Sequence, residues 1–294
     1  MKRAYNYFLI LIVFFLALGA VFFFIENFKS NELYKKQEEQ KLKIENMFAS
    51  AQLQAKAFSI YDITDQKEIY GKNQYERLPI ASLAKVMTVL VAFDNYLPED
   101  EIEIYADALN ETGDNGLLLN EKWKVEDLAK FSLILSSNDG AKALTQNDEL
   151  FLEKMNKKAE EIGMNNTVFF NATGLDLNEK TSGAYASAKD VNIMNMKALE
   201  NYPKIFLDTT FLEMKIKSIS GIEHNIKNTN IITDKIPNLF LSKTGFTQLA
   251  GGNLSIIFRN KEDHEIAITL LGSTMDGRFS DMEKLVEISY SMIF

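Results

Sequence analysis

The order of strand-like and helical segments constrains the fold of this sequence most strongly, because strand-like runs lie at both ends of its main part. β-Branched or alternating runs predict strands at 57–62, 68–71, 239–243, 252–259 and 265–271. Apolar residues at helical spacing predict helices at 82–95, 125–135, 140–145, 148–162, 188–199 and 281–292. We therefore expect a sheet whose terminal segments pair and which carries an inserted helical lobe.

The composition limits the kinds of site that the chain can build. The chain has 294 residues, 46% of them hydrophobic, which is enough for one enzyme-sized domain. A net charge of −9 argues against a nucleic-acid partner, because phosphate binding needs clustered Lys and Arg. Cysteine is absent and the histidines are His224 and His264, so thiolate and multi-histidine metal sites are not expected. We expect no metal and no cofactor.

The N-terminal segment predicts a membrane anchor. Lys2 and Arg3 precede an uncharged, Phe-rich run at 8–25 that is about long enough to span a bilayer. We favour an uncleaved anchor over a cleavable signal peptide, because more apolar residues follow the small residues at 17–20. The basic N-terminal end of this segment is expected to stay on the cytoplasmic side of the membrane. We expect a cytoplasmic N-terminus at 1–7, a transmembrane signal-anchor at 8–25, a charged juxtamembrane stalk at 26–50 and an extracytoplasmic domain at 51–294.

Three short motifs carry the chemistry. They are, in chain order, Ser82-Leu83-Ala84-Lys85, Ser136-Ser137-Asn138 and Lys243-Thr244-Gly245. Each motif alone is weak, but K-T-G is rare and the order matches that of serine β-lactamases and penicillin-binding proteins. The motifs also fall at a predicted helix start, in a loop after a helix and on a predicted strand.

The first motif suits nucleophilic catalysis. Positions i and i+3 share one face of a helix, so Lys85 can reach the Ser82 hydroxyl. A hydroxyl needs a base, and a lysine that is desolvated among other cations can lose its proton and serve as one. Ser82 is predicted at the N-terminus of the helix, where backbone N–H groups favour a developing oxyanion.

The other two motifs suit substrate binding. Lys243 would supply a second cation, Thr244 a hydroxyl for a carboxylate, and Gly245 room for a close approach of the backbone. Asn138 carries both a donor and an acceptor, so it can contact a substrate amide and Lys85 together.

From about Ala57 to Phe294 the sequence resembles the low-molecular-mass penicillin-binding proteins that act as D,D-carboxypeptidases and related endopeptidases. The resemblance rests on the three motifs together with the segments LPIASLAKVMT, LILSSNDGAKAL, IGMNNTVFFNATGLD, SAKD and LSKTGFTQLAGGNL. It implies a mixed α/β (α+β) fold, with an antiparallel sheet flanked by helices and an inserted all-helical lobe. It also implies a bacterial enzyme on the outer face of the cell membrane.

The resemblance implies a role for each motif residue. Ser82 would be the acylated nucleophile, Lys85 its base and Ser136 a proton relay toward the leaving amine. Asn138 would contact the substrate amide, and Gly245 would allow its approach. The terminal carboxylate would be held by Lys243 and Thr244, and the oxyanion by the backbone N–H groups of Ser82 and Phe246. The expected partners are the peptidoglycan stem peptide and, as covalent inhibitors, β-lactam antibiotics.

The sequence departs from the family pattern in a few places. Ile80 stands where Pro is frequent, Ser137 replaces a small Gly or Ala, and Gly140 replaces an Ala. We expect these changes to preserve activity. Few residues follow Lys243, so we expect the N-terminal segment to replace the C-terminal anchor of many relatives.

Three rivals to a carboxypeptidase remain open. A D,D-endopeptidase would cut cross-links at the same site, and a catalytically silent scaffold would keep only the fold. A serine β-lactamase would need a deacylating carboxylate, for which Glu161 and Asn165 have the required spacing, although we favour a structural role for them. The remaining conspicuous side chains receive ordinary interpretations: Trp123 packs, His264 is exposed in a turn and Arg278 pairs locally.

Overall fold

The chain divides into two compact units, Met1–Ser50 and Ala51–Phe294. The computed structural model describes residues 2–113 and 116–291, without the side chains of 2–13, 17, 20, 37, 40, 41 and 291. The first unit contains one helix, α1, at Lys2–Ser50. Among the residues whose side chains are described, no helix is both long and apolar enough to cross a membrane. The predicted anchor at 8–25 lies partly outside them, at residues 8–13, 17 and 20.

The second unit is a mixed α/β structure. In chain order its strands are β1 Ala57–Asp62, β2 Lys67–Lys72, β3 Leu78–Pro79, β4 Glu101–Glu103, β5 Lys122–Lys124, β6 Val168–Phe169, β7 Ala184–Ala186, β8 Glu213–Lys217, β9 Glu223–Lys227, β10 Leu239–Thr247, β11 Gly251–Arg259 and β12 Glu265–Ser273. Its helices are α2 Lys85–Asn95, α3 Ala106–Leu109, α4 Val125–Ile134, α5 Asn138–Ala143, α6 Phe151–Glu161, α7 Ala188–Asn201, α8 Pro203–Asp208 and α9 Gly277–Ser291, with 3-10 turns at Ala81–Ala84 and Thr233–Lys235.

A five-stranded antiparallel sheet in the order β10-β11-β12-β1-β2 forms the centre of this unit. β1 pairs with β12 from Ala57 opposite Leu271 to Asp62 opposite Ile266, which confirms the predicted pairing of the terminal segments. The neighbours Ile256 and Ile257 on β11 are both buried although they point to opposite faces. Both faces of the sheet are therefore covered, and α7 and α9 pack against it.

Hydrogen bonds between buried polar side chains fix α7 on the sheet. Asn192 Nδ2 donates to the backbone oxygen of Ser59 at 3.2 Å, and Thr269 Oγ1 donates to Asn192 Oδ1 at 2.6 Å. One turn later, Asn195 Nδ2 donates to Ser255 Oγ at 2.6 Å. These bonds tie the helix to three strands, so its position relative to the sheet is well determined.

The inserted lobe contains α2, α4, α5 and α6, and it confirms the expected helices between the outer strands. Helix α2 is its central element, since the side chains from Lys85 to Phe93 are all buried. The lobe region also carries the hairpins β4–β5 and β8–β9 and the small sheet β3-β7-β6, none of which the sequence analysis predicted. At the C-terminal end, α9 begins at Gly277, four residues before the predicted start, and the predicted end at Met292 lies outside the described residues.

Candidate active site

Ser82 lies in the 3-10 turn Ala81–Ala84, directly before α2. The prediction placed it at the N-terminus of a regular helix; in the structure the tighter turn precedes α2, which begins at Lys85. Its neighbours Ala81 and Leu83 are fully buried, whereas Ser82 itself is half-buried. The turn therefore anchors itself with apolar side chains and presents the hydroxyl at the surface of the lobe.

Lys85 is fully buried and lies against Ser82. Its Nζ is 2.8 Å from Ser82 Oγ, 2.7 Å from Asn138 Oδ1 and 2.8 Å from the backbone oxygen of Thr173. Burial lowers the pKa of Lys85 to about 7, although the charges of Glu111 and Asp139 oppose this shift. A large fraction of Lys85 is therefore unprotonated near neutral pH and can accept the Ser82 proton.

The second motif brings Asn138 and Ser136 to the same place. Asn138 begins α5; its Oδ1 faces Lys85 and its Nδ2 donates to the backbone oxygen of Thr112 at 2.7 Å. Ser136 adopts a left-handed backbone conformation with φ of 61°. This unusual conformation belongs to the loop between α4 and α5 and accompanies a contact of Ser136 Oγ with Lys243.

Ser137 and Gly140, two departures from the pattern of the resemblance, are in contact in this motif. The Ser137 hydroxyl caps α5 by accepting a hydrogen bond from the Gly140 backbone N–H at 2.8 Å, and it contacts the Asp139 carboxylate. A Cβ at position 140 would lie 2.9 Å from Ser137 Oγ and 2.5 Å from Ser132 Oγ. Gly140 therefore makes room for the hydroxyls of both Ser132 and Ser137, and the Ser132 hydroxyl is the closer of the two.

The third motif lies on β10 and faces the first two. Lys243 is almost fully buried, and its Nζ donates to Ser136 Oγ and to the backbone oxygen of Thr244, both at 2.8 Å. Burial is the main cause that holds the pKa of Lys243 well below its usual range. The nearby charges of Lys85 and Arg278 lower this pKa further. Thr244 Oγ1 lies 2.5 Å from Thr229 Oγ1.

Gly245 allows β10 to lie against the turn that carries the nucleophile. A Cβ there would be 2.7 Å from the Ile80 backbone oxygen and 3.3 Å from the Ser82 backbone nitrogen. The next residue, Phe246, is partly exposed on the same strand. The structure thus brings together Ser82, Lys85, Ser136, Asn138, Lys243, Thr244 and Gly245, with Phe246 beside them.

Thr173 and Gly174 lie behind Lys85 and were not predicted as site residues. Thr173 contributes its backbone oxygen to Lys85, and Gly174 follows with φ of 77°. A Cβ on Gly174 would lie 2.0 Å from the Ala81 backbone oxygen. Both residues lie in the segment IGMNNTVFFNATGLD that contributed to the resemblance, which is the only signal that marked them.

Arg278 also belongs to the surroundings of the site. It is buried, and its Nη1 donates to the backbone oxygen of Gly245 at 2.9 Å. The expectation that Arg278 pairs locally is therefore wrong, because this partner lies on β10, far from Arg278 in the sequence. Burial lowers the pKa of the Arg278 guanidinium. Together with Lys85 and Lys243 it forms a cluster of three basic side chains. An anionic ligand in this cluster would favour the protonated forms of the two lysines, whose pKa values burial lowers.

The remaining highlighted residues lie elsewhere. Trp123 is fully buried against Phe131 and His224, as the packing prediction expects. The expectation of an exposed His264 is wrong, because its ring is half-buried with Nδ1 2.7 Å from Asp62 Oδ2, and the hydrogen bond to Asp62 raises its pKa. With Asp65 these two residues form a cluster of possible metal ligands.

The β-lactamase alternative receives no support from Glu161. This residue ends α6 on the surface, where its carboxylate pairs with Lys157 at 3.8 Å. The partners of Lys85 described above do not include it. The spacing between Glu161 and Asn165 is therefore a feature of the turn after α6.

The sequence of the chain matches a known protein family and several curated relatives. A family model described as D-alanyl-D-alanine carboxypeptidase matches residues 41–274. The chain is 30% identical over 248 residues to the D-alanyl-D-alanine carboxypeptidase DacF of Bacillus subtilis, covering 81% of this chain and 62% of that protein. It is 32% identical over 206 residues to a D-alanyl-D-alanine endopeptidase of Pseudomonas aeruginosa, covering 64% and 63% respectively. The chain thus spans less than two thirds of the length of these relatives.

Solved structures give the same fold. Penicillin-binding protein D2 of Listeria monocytogenes in its ampicillin-bound form has a TM-score of 0.70 and 27% identity, covering 82% of this chain and 99% of that chain. The D-alanyl-D-alanine carboxypeptidase DacD of Francisella tularensis, at 22% identity, has a TM-score of 0.73, covering 82% and 71%. Since the family model matches most of its length, the chain belongs to the D-alanyl-D-alanine carboxypeptidase family.

Proposed function

We propose that the protein is a serine D-alanyl-D-alanine carboxypeptidase that trims peptidoglycan stem peptides through an acyl-enzyme on Ser82. The observation that carries this proposal is the contact of 2.8 Å between Ser82 Oγ and a lysine whose pKa burial lowers to about 7. A buried amine of this kind is a competent base for a serine hydroxyl. The name of the Bacillus subtilis relative agrees with this activity.

Acylation begins when Ser82 Oγ attacks the carbonyl carbon between the two terminal D-alanines, while its proton moves to Lys85 Nζ. The backbone N–H groups of Ser82 and Phe246 stabilise the oxyanion of the tetrahedral intermediate. When the C–N bond breaks, the leaving amine of D-alanine takes a proton that Ser136 relays. Ser136 Oγ is suited to this role because Lys243 Nζ donates to it at 2.8 Å. Water then hydrolyses the ester on Ser82.

The terminal carboxylate of the substrate binds at Lys243 and Thr244. Without an anion, the pKa of Lys243 is held down by burial and by the charges of Lys85 and Arg278. A carboxylate beside Lys243 would favour the protonated form of the lysine. Binding of the substrate would therefore form an ion pair between this carboxylate and Lys243. A β-lactam carries a comparable carboxylate, and the ampicillin-bound Listeria structure supports β-lactams as covalent inhibitors of this chain.

A D,D-endopeptidase is the second candidate, because relatives of that name in Pseudomonas aeruginosa and Escherichia coli are each 32% identical to the chain. The same Ser82 chemistry would cut a cross-link instead of releasing terminal D-alanine. We favour the carboxypeptidase, whose name the family model carries.

The substrate of the full-length protein can be identified by product analysis. The protein would be incubated with a stem pentapeptide and with a cross-linked dimer, and the products would be identified by mass. We expect D-alanine release from the pentapeptide, and none in a Ser82→Ala variant. Cleavage of the dimer alone would favour the endopeptidase. Release of D-alanine by Ser82→Ala would reject the assignment of the nucleophile.

The sequence supports a membrane location for this enzyme. We propose that residues 1–7 are cytoplasmic, residues 8–25 anchor the chain in the cell membrane, and residues 26–50 form a stalk. The peptidase domain at 51–294 then faces the cell wall. Lys2 and Arg3 before the apolar run support this orientation, because basic residues stay on the cytoplasmic side.

A further inference from the structure

We propose that Arg278 is a positioning residue, which holds the Gly245–Phe246 peptide so that the Phe246 N–H points at the oxyanion. Arg278 lies outside the three motifs, and it acts through a strand of the site rather than on the substrate. This inference rests on the proposed acylation of Ser82, and it adds one residue to those that the reaction requires.

Arg278 makes an unusual contact for a buried cation. It is the second residue of α9 and only 6% exposed, and its Nη1 donates to the Gly245 backbone oxygen at 2.9 Å. Its Nε is buried without a hydrogen-bond partner among the described residues, and its guanidinium carbon lies 4.7 Å from the centre of the Phe279 ring. Burying a cation costs free energy that these contacts offset only in part. Arg278 is therefore better explained by its effect on Gly245 than by a gain in stability.

A glycine on β11 gives Arg278 access to β10. Gly252 lies opposite Phe246 in the pairing of the two strands. A Cβ on Gly252 would lie 3.3 Å from Arg278 Cβ and 2.0 Å from the Thr274 backbone oxygen. A larger residue there would displace the start of α9. Gly252 therefore allows Arg278 to lie over β11 and to reach the next strand.

The planar peptide transmits this contact to the Phe246 N–H. The Gly245–Phe246 peptide is trans, so the Gly245 oxygen and the Phe246 N–H point in opposite directions. Successive carbonyls of a strand also alternate in direction. Lys243 Nζ donates to the Thr244 oxygen on the side of the site, and Arg278 holds the Gly245 oxygen on the side of α9. The Phe246 N–H therefore points towards the site.

The position of β10 in the sheet explains why this peptide needs to be held. β10 is an outer strand, and no strand of the described residues pairs with its other edge. The strand lies against the turn of the nucleophile, since a Cβ on Gly245 would be 3.3 Å from the Ser82 backbone nitrogen. Donors stabilise an oxyanion best when they are already aimed at it. A rotation of the Gly245–Phe246 peptide would turn one of the two donors away.

The test uses the penicillin ester on Ser82 as a probe of this peptide. The full-length protein and an Arg278→Met variant would be acylated with penicillin that is isotopically labelled at the β-lactam carbonyl carbon. Infrared difference spectroscopy would then measure the carbonyl band of the ester. A hydrogen bond to the carbonyl oxygen weakens the C=O bond and lowers its stretching frequency. We expect a higher frequency in Arg278→Met, because the Phe246 N–H is no longer held towards the ester.

The rate constant for acylation should fall about tenfold in the same variant, since loss of one oxyanion donor costs about a hundredfold or more and misdirecting it costs less. Arg259→Met is the matched control. Arg259 lies at the other end of β11, where its guanidinium carbon is 5.0 Å from the centre of the Phe240 ring and its Nη2 donates to Glu265 at 2.9 Å. This variant should keep the wild-type band and the wild-type rate.

The band is measured after the ester has formed, so it reports on the peptide independently of the base and of the acylation rate. A folded Arg278→Met protein with the wild-type band would overturn the role of Arg278 and leave the acylation of Ser82 intact. A wild-type protein that forms no ester would overturn the proposed function and this inference together. Arg278→Gln, which is shorter and neutral but polar, gives the same test if the methionine variant does not fold.

A crystal structure of the wild-type penicillin ester tests the geometry without any substitution. The ester oxygen should lie within hydrogen-bond distance of the Phe246 N–H, with the Arg278 guanidinium still on the Gly245 oxygen. An ester oxygen that contacts other donors instead, or an Arg278 side chain that has left Gly245, would overturn the inference.

Discussion

At the scale of single residues, Lys85 connects the polar groups of the site. A buried ammonium is costly, and here its neighbours are Ser82 Oγ, Asn138 Oδ1 and the Thr173 backbone oxygen. These acceptors offset part of the desolvation cost of the ammonium. The charges of Glu111 and Asp139 also favour the protonated form of Lys85. The balance leaves the pKa of Lys85 at about 7, where the side chain can both accept and return a proton.

The pH dependence of acylation follows from this pKa. Because only unprotonated Lys85 can accept the Ser82 proton, the rate constant for acylation by a fluorescent penicillin should rise about tenfold per pH unit below the pKa and level off above it. With a pKa of about 7, the bend should lie near neutral pH. The measurement is the acylation rate of the full-length protein between about pH 5.5 and pH 9.

Two variants control that profile. Lys85→Arg should not acylate, because a guanidinium stays protonated over the whole range. Lys157→Arg, at a largely exposed position on α6, should reproduce the wild-type curve. An acylation rate that stays constant across the range would contradict the role of Lys85 as the base.

Much of the residue-level site could be predicted from the sequence. Ser82, Asn138 and Lys243 carry side-chain chemistry at recognisable spacings, and the structure brings them together. Thr173 contributes a backbone oxygen, which any residue could supply, so residue type carries no signal for it. Arg278 reaches Gly245 from α9, and only the tertiary structure shows that contact.

At the scale of elements, the site is where β10, the turn Ala81–Ala84 and the segment after β6 meet. Glycine permits both close approaches: Gly245 on β10 faces the Ile80 and Ser82 backbone, and Gly174 faces the Ala81 oxygen. The turn is therefore held from two sides by backbone rather than by long side chains, which limits the positions open to Ser82.

Two glycines with similar backbone conformations test this packing. Gly174 and Gly163 have φ of 77° and 87°, so alanine at either position should cost about 1–2 kcal/mol for the left-handed conformation. Only at Gly174 would the new Cβ meet the Ala81 oxygen, at 2.0 Å, whereas Gly163 has open space. Gly174→Ala should therefore lose clearly more unfolding free energy than Gly163→Ala and should also slow acylation.

Urea unfolding followed by circular dichroism, together with penicillin acylation rates, would measure both effects. Gly163→Ala should acylate at the wild-type rate. Equal losses of unfolding free energy and equal acylation rates in the two variants would contradict this account. They would show that the close approach of Gly174 to the turn Ala81–Ala84 does not require glycine.

The long strands and helices could be predicted because their periodicity extends over many residues, as in β11, β12 and α7. The two-residue strands β3 and β6 are too short to show alternation, and only their tertiary neighbours make them strands. The same holds for the 3-10 turn at Ser82, because an apolar spacing of three or four residues does not distinguish it from the first turn of an α-helix.

At the scale of the whole molecule, the pairing of β1 with β12 joins strands from the two ends of the second unit in one sheet. The site lies between this sheet and the helical lobe, whose residues are inserted between β2 and β10. The segments at both ends of the unit must therefore be present for β10 to be held in place. The order of strands and helices predicted this closure, while the path of the chain within the lobe depends on contacts that have no sequence signature.

The division of the chain at Ser50 predicts that residues 51–294 fold and react without the first unit. This fragment should acylate with penicillin within about twofold of the full-length rate, since the site residues all lie within it. The full chain should cosediment with lipid vesicles and the fragment should stay in solution, as the proposed anchor at 8–25 requires. A fragment that is folded but does not acylate would contradict the first prediction. A full chain that does not cosediment with vesicles would contradict the proposed anchor.

The central claim, that Ser82 is the nucleophile, is tested most directly by the position of a covalent penicillin adduct. Folded full-length protein and a Ser82→Ala variant would be incubated with penicillin, measured by intact mass and digested for peptide mapping. The account predicts a single long-lived adduct on the peptide that contains Ser82, and none in the variant. An adduct on another residue, or an unmodified wild type that is folded by circular dichroism, would contradict it.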